Sequence, residues 1–287
     1  MLRTHDVANQ VPPLAGYDVF GADAALVEAL DRNGASWASA DLHGLGRLAG
    51  APASLEQGRL AEANRPVLQT HDRYGNRIDV VEYHPAYHQL MTTAIGHGLH
   101  AAPWSDGRSG AHVARAAKVI TWYQVDGGHV CPISMTYSVI PALRHNARLA
   151  TEWEPRICSR SYDPADRPAP LKTGATCGMA MTEKQGGSDV RTNTTTARTI
   201  GDGEYLLIGH KWFCSAPMSD GFLMLAQAPA GLSCFWVPRW TPDGGRNVIA
   251  IQRLKDKLGD RSNASSEIEL LDTWGVLVGD EGAGVRT

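Results

Sequence analysis

A chain of 287 residues with 43% hydrophobic and 20% charged residues has the composition of an ordinary folded protein and the length of about two domains, which excludes a disordered or low-complexity scaffold. Its net charge of −3 provides no overall electrostatic footprint for nucleic acid. Five widely spaced cysteines without a C-x-x-C pair read as free thiols, and the absence of an apolar leader or a run of ~18 apolar residues makes a cytoplasmic protein away from membranes the expectation.

Up to about residue 150 the apolar spacing is helical. Ala22, Leu26, Ala29 and Leu30 share one face, with Asn33-Gly34 as a stop signal. Ser54 followed three residues later by Gln57 reads as a capping box that opens a second short helix. Tyr74-Gly75-Asn76-Arg77 is a turn and 80–83 a brief extended stretch. Pro85 then fits the first turn of a helix running to about His100, because its missing N–H costs nothing there. From Ser109 a longer pattern carries Val113, Ala116, Val119, Ile120 and Trp122 to a break at Asp126-Gly127-Gly128, and another runs from about Pro132 to Arg148. After the Pro-rich link 162–170, β-branched runs alternate with turn residues, which predicts an antiparallel sheet. Segments 192–200 and 205–213 flank Gly201-Asp202-Gly203 as a hairpin. Segments 222–226 and 232–237 read as buried strands, and 267–270 as a strand with one wet face. The final stretch, 279–287, has the pattern of a turn leading into a helix. The fold class is α+β, helices first and sheet second.

The densest motif is Met179-Ala180-Met181-Thr182-Glu183-Lys184-Gln185-Gly186-Gly187-Ser188-Asp189. Adjacent glycines let a backbone pass close to a ligand, and consecutive exposed N–H groups can cradle a pyrophosphate. Thr182 and Ser188 add hydroxyls able to donate to a ring carbonyl or a phosphate oxygen. By itself, a Gly-Gly-Ser-Asp run is more often a plain surface turn. Some two dozen residues on, Gly209-His210-Lys211-Trp212-Phe213-Cys214-Ser215 offers an indole for stacking on a flat heteroaromatic, although a core Trp is the commoner fate of any single one.

Together these segments resemble the acyl-CoA dehydrogenase superfamily of flavoproteins, with its Met/Val-Thr-Glu-x-x-x-Gly-Ser-Asp motif and Lys-x-Trp-Ile-Thr-type strand. The resemblance is closest to the alkylation-response, AidB-like branch, through Met181 to Val190, Gly209 to Phe213, Gly231 to Phe235, Arg253 to Gly259, Arg261 to Ser265 and, in the helical half, Tyr83-His84-Pro85-Ala86-Tyr87-His88. It spans nearly the whole chain. It implies a helical domain over 1–160, an antiparallel β-barrel domain over 161–287, and a C-terminal helical bundle that is absent here, expected to begin near Glu281-Gly282-Ala283-Gly284. It implies FAD, held by Met179, Met181, Thr182, Gly187, Ser188, Trp212, Phe213, Cys214 and Ser215. Cys214 stands where many dehydrogenases have a Thr hydroxyl, so that contact is expected to pass to backbone N–H or to Ser215. The implied activity is oxidation of CH–CH groups of acyl thioesters, with an acyl-CoA-like substrate and a homotetramer for the full-length protein. The alternative in the same branch is a flavoprotein that binds DNA, through the C-terminal domain, and protects it from alkylation. No catalytic residue is assigned in this chain, since the family's α-proton base belongs to the third domain. Glu183 is the tempting carboxylate, but its place in the family motif is structural.

Other signals are weaker. His84 and His88 have metal-like i, i+4 spacing, but no H-E-x-x-H pattern accompanies them and no metal is expected. Gly44-Leu45-Gly46-Arg47-Leu48-Ala49 matches a loose dinucleotide fingerprint without the preceding strand that would make one. Arg246, Arg253, Lys255, Lys257 and Arg261, interleaved with Asp256 and Asp260, read as a solvated or subunit-facing stretch before a nucleic-acid stripe.

Overall fold

A computed structural model describes residues 4–287. The first helices are α1 (Ala24–Arg32), α2 (Ser39–Ala49) and α3 (Pro52–Ala63). A two-stranded antiparallel hairpin follows, β1 (Val67–His71) and β2 (Arg77–Glu82). Then come α4 (Pro85–Gly96), α5 (Ala102–Ser105), α6 (Ala111–Tyr123), α7 (Val130–Leu143) and α8 (Ala147–Ile157). The second half holds β3 (Cys177–Ala180), β4 (Thr196–Gly201), β5 (Glu204–Ser215), β6 (Gly221–Ala228), β7 (Gly231–Pro238), β8 (Ile249–Leu254) and β9 (Ser265–Val278).

Local chemistry sets most helix starts. Asp23 caps α1 by accepting from Leu26 N–H at 3.0 Å. Pro85 occupies the first turn of α4 while His84 Nδ1 accepts from Ala86 N–H. Two expectations fail here. The Ser54/Gln57 capping box does not form, because α3 already begins at Pro52 with Ala51 as its cap. The single helix expected over 132–148 is two, since Asn146 turns its side chain to cap Leu149 N–H and opens α8, while its Nδ2 donates to Leu277 O of the sheet. The loose G-x-G-x-x-A match lies inside α2, not at the mouth of a strand.

The large sheet is mixed. β4–β5, β5–β9, β6–β7, β7–β9 and β8–β9 are antiparallel, while β3 runs parallel to β6 and β4 touches β6 in parallel at one point. An antiparallel sheet therefore describes most but not all of the pairing. The predicted hairpin at Gly201-Asp202-Gly203 is present, but its first strand starts at Thr196, because residues 190–192 coil into a short 3-10 turn. β8 was not anticipated, and β9 is much longer than the predicted 267–270.

β6 explains why the sheet reads as continuous hydrophobics. Phe222, Met224 and Ala226 face an interior shared with Leu207, Phe235, Ile251 and Ile268, whereas Leu223 and Leu225 face α7 and α8 through Ile140, Leu143, Trp153 and Ile157. Both faces are covered, so polar alternation disappears. A separate helical core gathers Leu45, Leu90, Met91, Leu99, Trp122 and Ile133. The two halves are joined by directed contacts: Asp79 accepts from Ile251 N–H, Arg77 donates to Ile251 O at 2.8 Å, and Glu62 accepts from the N–H groups of Arg261 and Ser262.

Candidate flavin-binding site

The loop leaving β3 lies against β5, where Trp212 N–H donates to Thr182 O at 2.9 Å. This single bond places the two sequence motifs side by side. β5 is bulged at that point: Lys211 pairs with Ile268 and Cys214 with Ser266, so three steps on β5 oppose two on β9. An extra residue breaks the in–out alternation and turns Trp212 and Phe213 outward between two buried neighbours.

Behind the motif sits a buried ion pair. Lys211 Nζ lies 2.8 Å from Glu183 Oε1, and both side chains are fully buried. Glu183 also accepts from Thr194 N–H, Thr194 Oγ1 and Thr195 N–H, while Lys211 donates to Leu225 O at 2.6 Å. Burial works against ionisation of Glu183, but Lys211 and the two threonines outweigh it and hold the carboxyl at about 2. Desolvation shifts Lys211 downward, against the pull of Glu183. Asn193 donates to Met181 O, and Lys184 N–H donates to His210 Nε2. Gly209 permits the close approach this requires, since a Cβ there would lie 2.5 Å from Thr195 Oγ1 with φ at +152°.

The outward side is different in kind. Met181 is 46% and Phe213 44% exposed, and Gly187 and Ser188 are exposed beside them. The N–H groups of Thr182, Gly187 and Ser188, the hydroxyls of Thr182 and Ser188, and the indole N–H of Trp212 find no acceptor among the described residues. A Cβ at position 187 would meet Thr182 Cγ2 at 3.0 Å, so glycine keeps the loop close to this ledge. One face of Trp212 carries Lys255 Nζ, 3.2 Å from the ring centre, and Lys255 and Arg253 both bond Glu267 Oε1 at 2.8 Å.

Not every predicted residue joins the ledge. Cys214 turns inward; burial pushes its thiol up to about 12, and its carbonyl accepts from Ser266 Oγ. Met179 is half-buried against the α7–α8 side of the sheet. Ser215 is tied to Ser265 Oγ at 2.9 Å. Just beyond it, a cavity of about 630 Å³ opens at Ala216 between the sheet and the helices. Tyr83, Tyr87, Met91 and Met218 form much of its wall, and the His88–Tyr162 hydrogen bond of 3.0 Å lies along it.

The Met181–Ser188 loop and the Trp212 strand are held side by side within a sheet whose neighbours in sequence are helices. The family described as the adaptive response protein AidB N-terminal domain matches residues 9–164, and the acyl-CoA dehydrogenase middle domain matches 178–273. The chain belongs to the acyl-CoA dehydrogenase superfamily, in its AidB branch. It is 49% identical over 286 residues to AidB of Escherichia coli, covering 99% of this chain and 53% of that protein. It is 31% identical over 246 residues to acyl-CoA dehydrogenase family member 11 of Caenorhabditis elegans, covering 79% of this chain and 38% of that one. Among solved structures, the nematode protein in complex with C11-CoA superposes with a TM-score of 0.85 at 27% identity, covering 99% of this chain and 50% of that one. The apo form of Bd2924 superposes with 0.84 at 29% identity, covering 96% and 56%. The chain thus spans about half the length of its E. coli relative.

The motifs singled out in the sequence therefore meet in space, but the buried role of Lys211 and the parts played by Asn193, Thr195 and Glu267 lay outside that reading. Lys211, Asn193 and Thr195 fill the buried side, and Glu267 anchors Lys255 over Trp212. Glu267 is buried, whereas Glu269 two residues on is exposed. The expected wet face of that strand holds at Glu269 only. The basic run is largely paired within the chain: Arg246 with Asp166, Arg253 and Lys255 with Glu267, and Lys257 with Asp260 O. Among the described residues no group of three His, Cys, Asp or Glu side chains is placed to hold a metal, and no described helix is long and apolar enough to cross a membrane.

Proposed function

We propose that this chain provides the flavin platform of an FAD-dependent oxidoreductase acting on CH–CH groups of acyl thioesters. The carrying observation is the cluster of unpaired donors on the ledge, at Thr182, Gly187, Ser188 and Trp212, opposite the paired Glu183–Lys211 side of the loop. FAD presents the matching acceptors, ring carbonyls and pyrophosphate oxygens, together with a flat ring for the indole. Thr182 would meet the ring edge, Ser188 and the Gly187 N–H the pyrophosphate, and Met181 and Phe213 would lose exposed apolar surface beneath it. When bound, the flavin supplies the electron acceptor for the substrate Cβ–H bond. This chain's residues orient it, exclude water from one side, and seat the acyl group in the cavity that opens at Ala216. Glu183 does not serve as base, because its carboxylate is buried and fully engaged. The reading includes a helical unit over 1–160, a closed barrel-type sheet unit over 161–287 and a homotetrameric assembly of the whole protein. The DNA-protection alternative draws no support from the basic run, whose cations are largely paired within the chain.

A fluorescence titration of the 287-residue chain with FAD tests this. Saturable quenching in the wild type and its loss in Ser188→Ala/Trp212→Ala are expected. Equal binding by both proteins would refute the assignment of the ledge.

A further inference from the structure

The cavity beyond Ser215 is not uniformly apolar. Ser219, in the turn between β5 and β6, lines it, is 2% exposed, and has a hydroxyl with no hydrogen-bond partner among the described residues. A buried hydroxyl left unpaired costs free energy that a ligand group of the right kind recovers. On the same cavity, His88 spends Nδ1 on the Tyr162 hydroxyl and keeps Nε2 without a partner among the described residues. Burial shifts His88 below its usual range, which favours the neutral ring and leaves Nε2 free to donate or to accept, according to which way the Tyr162 bond runs.

Apart from Glu82, which is exposed at the rim, the charged groups lining the cavity are paired. Lys172 pairs with Asp220 at 2.7 Å, Asp166 with Arg239 and Arg246, and Asp163 with Arg167. What remains is a largely apolar chamber that also carries the Tyr83, Tyr87 and Thr176 hydroxyls, and in which Ser219 is the lining side chain whose buried hydroxyl has no partner. Such a set rejects an ionised ligand tail, tolerates an alkyl chain, and pairs with a neutral group that can donate and accept.

Resting on the acyl-thioester reading above, we infer that this cavity selects acyl groups bearing a hydroxyl at the far end of the chain, recognised by Ser219 and His88, over alkyl chains of the same length. Sites built to hydrogen-bond a substrate hydroxyl discriminate strongly against the isostere lacking it, because their own polar groups are then left unpaired.

Isothermal titration of the FAD-loaded chain with ω-hydroxyacyl-CoA esters of four, six and eight carbons, each against the n-alkanoyl ester one carbon longer, reads this directly. At least one hydroxyacyl ester is expected to bind at least tenfold tighter than its isostere. That ratio should fall toward one in Ser219→Ala and drop severalfold in His88→Phe. A wild-type ratio near one at every length, or a preference that survives both substitutions, overturns the selectivity. If FAD binds but no thioester does, the acyl reading of the cavity fails and the selectivity with it. If FAD itself does not bind, the ledge assignment is what has failed.

Discussion

The two sides of the Met181–Ser188 loop make opposite use of polar groups. On the inner side every charged atom is spent: Glu183 takes Lys211 and two threonines, and Lys211 takes Glu183 and a strand carbonyl. A few ångströms away, on the outer side, donors at Thr182, Gly187 and Ser188 stand unpaired beside exposed Met181 and Phe213. The difference teaches that one motif carries two jobs. Its Glu fixes the loop on the sheet, and its Thr, Gly and Ser are thereby left partly or fully exposed, where the proposed ligand would meet them.

The largest effect is expected from breaking the inner side. Removing one partner of a buried pair leaves the other uncompensated, so Glu183→Ala or Lys211→Met should each lose about 3–5 kcal/mol in urea denaturation. The double variant Glu183→Leu/Lys211→Met should recover much of that loss. If each single substitution costs under about 1 kcal/mol, the pair does not hold the loop.

Gly209→Ala comes next. A methyl forced against Thr195 in a backbone conformation that disfavours side chains should cost about 1–3 kcal/mol, measurable as a shifted denaturation midpoint with unchanged slope.

Acid should act on the inner side through Glu183. The folded Glu183 carboxyl lies at about 2, below its ordinary value of 4.5. Its contribution is therefore fully present above about 4.5 and is lost as the pH falls toward 2. Stability curves of wild type and Glu183→Gln should converge over that interval; parallel curves would show that Glu183 does not titrate with folding.

The outer side should show the reverse pattern. Ser188→Ala should change stability by no more than about 0.5 kcal/mol, yet weaken FAD binding by roughly tenfold, the value of one lost hydrogen bond. Lys255→Met should cost about 0.5–1 kcal/mol through the lost contact with Trp212 and alter the indole fluorescence. An unchanged emission spectrum would place Lys255 elsewhere in solution.

Much of the candidate site was legible because it is carried by short contiguous motifs. Thr182, Gly187, Ser188 and Trp212 stand out through the motif resemblance as candidates, and the hairpin turn at Gly201-Asp202-Gly203 and the start of α4 at Pro85 follow from turn chemistry and residue order. Cys214 was not legible in the same way. Strand alternation cannot tell which of Trp212, Phe213 and Cys214 faces inward once a bulge adds a residue, and the bulge exists only in the pairing with β9. β8 was missed for a related reason. Arg253 belongs to the basic stretch read as solvated or subunit-facing, while in the structure it is held by Glu267 from the neighbouring strand.

The amino-acid sequence by itself determined the α+β class, the succession of helices and strands, and the family, because periodicity, turn residues and motif order are local properties of the chain. Tertiary structure decided which motif residues look inward and which look out, that Glu183 pairs with Lys211 from 28 positions away, and that Ser219 and His88 share one cavity. Those facts depend on contacts between segments far apart in the chain, and a spacing rule that sees only neighbours has no access to them.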